Sequence, residues 1–78
     1  MDKTAIERDL ARVEHHVHQG EQIIARQRDI IAGLERGGHN TTQAKTLLGQ
    51  FEKTQALHIG HRDRLRRQLV DFDLVQRT

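Results

Sequence analysis

Three histidines, two glutamates and an arginine form a polar layer in an otherwise apolar-seamed chain. Glu14, His16 and Glu21 come from one amphipathic stretch, and His58, His61 and Arg62 from another. Neutral imidazole suits Zn, Cu and Ni, and it is also the side chain whose charge changes near neutral pH. His16, His58 and His61, with Glu14 and Glu21, are therefore the candidate metal ligands, and the same layer is a candidate pH- or ligand-sensing joint. Its simplest use is structural, because polar residues in a helical seam set register and oligomeric state.

Other constellations carry less chemistry. The run Glu14-His15-His16-Val17-His18 places His15 and His18 three residues apart, a spacing that binds Zn or Ni adventitiously. No glutamate has a histidine three residues on, so the di-iron bundle signature is absent, and so is His-Glu-x-x-His. The chain has no cysteine, which removes disulfides, thiolate metal sites and a cysteine nucleophile. The stretch Leu57-His58-Ile59-Gly60-His61-Arg62 lacks the acidic residue after histidine that a phosphorelay histidine helix carries. No nucleophile–base pair stands out, and the expected thin fold offers no deep pocket. No enzymatic activity and no cofactor are expected.

The segment His61-Arg62-Asp63-Arg64-Leu65-Arg66-Arg67 makes the second half of the chain the basic one. Residues 40–78 hold seven basic and four acidic residues, against six and seven in residues 1–39. Arg62, Arg64, Arg66 and Arg67 are the candidate anion-binding residues. At about 100° per residue they spread around a helix rather than forming one stripe. No aromatic is interleaved for base stacking, so nucleic acid is a weak expectation.

These groups need two long helices to position them. Gly37-Gly38-His39-Asn40 is the one clear break, with glycine to end a helix and Asn40, or Thr41, to cap the next. Asp2 or Thr4 caps the first helix. Proline is absent, so helices are expected over about 3–36 and 41–76. In the first, Ile6, Val13, Gly20, Gln27 and Leu34 occupy heptad position d, and Leu10, Val17, Ile24 and Ile31 occupy a. In the second, Ala44, Phe51, His58, Leu65 and Phe72 are d, and Leu48, Gln55, Arg62 and Leu69 are a.

Folding the chain at residues 37–40 sets a register. Gly20 falls opposite His58, where the missing side chain would give an imidazole room, and His16 falls level with His61. Glu14 and Glu21 are then expected to serve Arg62 as acceptors. The flanking e positions pair Glu35 with Lys45, Arg28 with Glu52, and Glu14 with Arg66. Three opposite-charge pairs thus emerge from a register chosen on apolar residues alone, a coincidence of local and global signals that favours a hairpin. Glu21 against Ile59 and Glu7 against Asp73 break the pattern. The rival, one continuous helix pairing with a second chain, has to run through two adjacent glycines.

The fold class expected is all-α, a single antiparallel two-helix domain over residues 1–78. A 78-residue chain with 35% hydrophobic residues, two Phe and no Trp or Tyr has little material for a core. Ile23, Ile30, Leu47, Leu57 and Ile59 are left on the wet side of the apolar arcs. They are the candidate dimer-interface residues, and a homodimeric four-helix bundle is the expected way to cover them. Gly33, Gly49 and Gly60 fall at outer positions, open to close approach by a second helix or simply tolerated there.

The segments Ile23–Leu34, Ala44–Glu52 and Gln55–Leu65 resemble a group of short helical proteins of alpha-proteobacteria, notably soil and rhizobial ones. The shared pattern is Arg-Gln-Arg before Ile-Ile-Ala-Gly-Leu-Glu-Arg, then a Gly-His-Asn-Thr turn, Leu-Leu, Phe-Glu, Gln-Ala-Leu-His and Arg-Asp-Arg-Leu. The resemblance implies a small helical protein and brings no catalytic residue with it. With no apolar run long enough to span a bilayer and no signal-peptide pattern, a cytoplasmic location is expected. The function expected is a non-catalytic, self-associating interaction module. The alternatives are a pH, metal or small-ligand sensor at the histidine layer and a weak anion binder on the second helix.

Overall fold

The structure is a computed structural model and describes residues 2–76. Among these residues there are two helices and no strand: α1, Lys3–Arg36, and α2, Thr42–Gln76. They lie side by side as an antiparallel hairpin whose extents are 63 × 15 × 14 Å.

The helix ends follow from local chemistry. Asp2 caps α1, its carboxylate accepting the Ala5 N–H at 2.7 Å. At the other end Gly38 takes φ +73°, the left-handed conformation that glycine adopts without a Cβ penalty. That single residue lets the chain close a Schellman motif: Gly38 N–H donates to the Glu35 carbonyl at 3.1 Å and His39 N–H to the Leu34 carbonyl at 2.9 Å. The two candidate caps of α2 share the task. The Asn40 side chain accepts the Thr42 N–H at 2.9 Å, and the Thr41 carbonyl accepts the first helical bond from Lys45.

The register is the one that the heptads require. Lys45–Glu35 at 3.3 Å, Arg28–Glu52 at 3.2 Å and Arg66–Glu14 at 3.0 Å are all formed. Each is solvent-exposed and contributes about 0–1 kcal/mol at most, so they mark the register more than they stabilise it. Asp73 does not face Glu7 uncompensated. It pairs one turn away with Lys3 at 2.9 Å, and that hydrogen bond and charge raise the Lys3 ammonium above its ordinary value of 10.5.

Apolar burial holds the rod together. Ile6, Val13, Val17 and Leu65 form the core of the open end, with Leu10, Ile59, Leu69 and Phe72 packed against them. Ile24 and Ile31 continue the buried seam toward the turn. Ile59 is therefore a correction to the set of outward apolar residues. It sits at an e position, but its apolar side chain packs against the open-end core rather than outward.

Candidate functional site

The two flanks of the hairpin differ in kind. The e flank carries the cross-helix ion pairs of Glu35, Arg28, Glu14 and Lys3. The g flank carries Ile23, Ile30 and Leu47, which remain 46%, 47% and 41% exposed. Phe51 is half-buried beside them. A shallow cleft of about 200 Å³ opens on this flank, lined by His16, Gly20, Ile23, Phe51 and His58 among others. A second apolar groove lies at the open end, between Ile6, Phe72 and Val75. Leu57 is more exposed still, at 73%, and lines neither cleft; Val70 and Leu74 of α2 are likewise exposed and line neither.

The polar layer resolves into three separate arrangements. In the seam itself, glutamine amides reach across to the opposite backbone. Gln55 donates from Nε2 to the Val17 carbonyl at 2.8 Å, and Gln27 donates to the Ala44 carbonyl at 3.0 Å. Both side chains are buried. The Gln55 side-chain oxygen stands where a Cβ on Gly20 would be, and it has no hydrogen-bond donor among the described residues. Gly20 thus makes room for Gln55, not for the His58 ring. The reason is that the amide finds a carbonyl acceptor across the seam, whereas a buried imidazole there would lose its hydration without a partner.

On the g flank, the His58 ring is half-buried and lies against His16, with ring centres 5.2 Å apart and planes tilted by 37°. His61 is exposed and lies outside this cleft. On the e flank, Glu14, His18 and Glu21 line a polar depression with Arg62 and Arg66. The candidate ligands are therefore split: Glu14 and Glu21 stand on the side opposite His16 and His58. Positions e and g bracket the seam, so residues two apart in sequence, such as Glu14 and His16, leave the helix on different sides of it. Among the described residues no three His, Cys, Asp or Glu side chains converge on a point where a metal ion could be held.

The arginines also separate. Arg62 lays its stem along the seam and pairs its Nε with the neighbouring Asp63 at 3.1 Å rather than with Glu14 or Glu21. Arg66 is held by Glu14. Arg64 and Arg67 are exposed. The outer glycines are not close approaches within the chain: nothing lies within 4 Å of a Cβ placed on Gly49, and only arginine side-chain ends approach Gly33 and Gly60. Among the described residues no helix is long and apolar enough to cross a membrane.

The missing signal in the sequence was side-chain reach. Gln27 and Gln55 fall at a/d positions and read as defects in an apolar seam, yet each is a tie between helices. Comparison with known protein families, with curated proteins and with solved structures gives no match to this chain.

Proposed function

We propose that this chain is a non-catalytic, self-associating helical hairpin, and that two copies pack their g flanks together into a four-helix bundle that serves as an interaction module. The carrying observation is the asymmetry of the flanks. One side is laced by exposed ion pairs, which suits water, while the other carries the part-exposed Ile23, Ile30 and Leu47, with Ile23 and Phe51 lining an open cleft.

A second copy fits the area available. The chain exposes 6010 Å², whereas a compact protein of 9.0 kDa exposes about 4,900 Å². The radius of gyration is 17.8 Å, against about 11–12 Å for a compact chain of this length. A stable interface removes about 800 Å² from each partner. A second rod laid along the g flank removes area on that scale, and an isologous contact offers the same apolar strip to both copies.

Sedimentation equilibrium tests the reading. The native chain is expected to be dimeric at micromolar concentration, and Ile30→Glu with Leu47→Glu monomeric but helical. Leu57→Glu is the control, because it removes a more exposed leucine from the outer face and leaves the dimer intact. A native chain that stays monomeric at these concentrations overturns the reading.

A further inference from the structure

We propose that the bundle holds a borderline divalent transition-metal ion, of the Zn²⁺ class, at its two-fold axis, ligated by His16 and His58 from each of two copies. The inference rests on self-association through the g flank, because one copy supplies only two of the four imidazoles.

Symmetry brings the pairs together. His16 lies near the middle of α1 and His58 near the middle of α2, and both line the g-flank cleft. If two hairpins overlap along their length in opposite directions, the two-fold axis crosses the flank at its midpoint. If they overlap in the same direction, the axis runs along the flank and every level meets itself. In either arrangement the His16–His58 pair of one copy faces the same pair of the other.

The spacing of the two rings is compatible with one ion between them. Two imidazoles bound to a tetrahedral Zn²⁺ at ~2.0–2.1 Å place their ring centres about 5 Å apart. The separation here is 5.2 Å. His16 also approaches the His15 ring, at 6.5 Å between centres. Gln19 and Thr54 line the same cleft. The class of ion follows from the donors. With Glu14 and Glu21 on the opposite flank, the site is all-nitrogen, which selects Zn²⁺, Ni²⁺, Co²⁺ or Cu²⁺ over Mg²⁺ or Ca²⁺.

Titration of Zn²⁺ into chelator-treated chain, followed by calorimetry and sedimentation, tests the proposal. The expected result is one Zn²⁺ per two chains, with the dimer dissociation constant lowered at least tenfold by the metal. Both His16→Ala and His58→Ala should abolish that half-stoichiometric binding; His16 is exposed, so its variant is expected to fold. A His15→Ala/His18→Ala variant should keep it. In the His15→Ala/His18→Ala background, binding of one or more Zn²⁺ per chain, or binding that survives His58→Ala, overturns the site. A chain that is dimeric in chelator but takes up no zinc also overturns the site and leaves the bundle standing. A chain that stays monomeric with and without zinc overturns both. A chain that is monomeric in chelator and dimeric with zinc supports the site while showing that the apolar flank is insufficient alone.

Discussion

The side-chain oxygen of Gln55 occupies the place that a Cβ on Gly20 would take, so a glycine in the middle of α1 and a buried glutamine in the middle of α2 are one structural unit. Glycine costs a helix up to about 1 kcal/mol relative to alanine. Here the loss admits an amide that hydrogen-bonds across the seam to the Val17 carbonyl. The two residues should therefore not be separable by mutation.

Gly20→Ala alone is expected to destabilise the hairpin by about 1 kcal/mol, since the gain in helix propensity is outweighed by displacement of the Gln55 amide and loss of its bond. In a Gln55→Ala background the same substitution should stabilise by about 1 kcal/mol, because the propensity term then acts alone. Thermal denaturation of the four members of this cycle checks it. Additive effects would show that Gln55 does not fill the Gly20 space.

Gln55→Met should raise stability by about 1 kcal/mol. The glutamine carries a buried oxygen with no donor among the described residues, and the Val17 carbonyl keeps its helical partner when the amide is removed. Denaturant unfolding is the measurement. A marked loss of stability would mean that the amide contributes more through its bond than its stranded oxygen costs.

At the turn, Gly38→Ala should cost about 1–2 kcal/mol, the penalty for placing an L side chain in the left-handed region that the Schellman motif occupies. Gly37 has φ −83°, so Gly37→Ala asks only that the His39 ring move, and its cost should be smaller. Equal costs at the two positions would argue against this turn geometry.

The open end carries a pH dependence of defined sign. Asp73 raises the Lys3 ammonium above 10.5, so the contribution of this pair is complete below that pH and falls as pH rises through the elevated value. Amide exchange at the N-terminus of α1 should therefore quicken, after correction for intrinsic rates, as pH climbs past this point. Lys3→Met should remove the effect. Because the pair is exposed, the change should be confined to the helix ends.

Much of the architecture was legible from residue order. Asp2, Gly38 and Asn40 act through bonds to residues two to five positions away, so composition and spacing suffice to place both helix ends and the turn. The heptads set the register because a one-residue slip would rotate every apolar side chain out of the seam, and Glu35–Lys45, Arg28–Glu52 and Glu14–Arg66 all form as that register requires. Three things were decided only when the helices met. Gln55 took the space beside Gly20 that His58 had been expected to use, because a long amide can find an acceptor beyond its own layer. Ile59 packed onto the open-end core because an apolar side chain at the edge of the seam gains by leaving water. The His58 ring met His16 in a cleft apart from Glu14 and Glu21, although the heptad levels put His16 beside His61. A heptad letter gives a column on one helix; side-chain reach and competition for the same volume settle which residues touch.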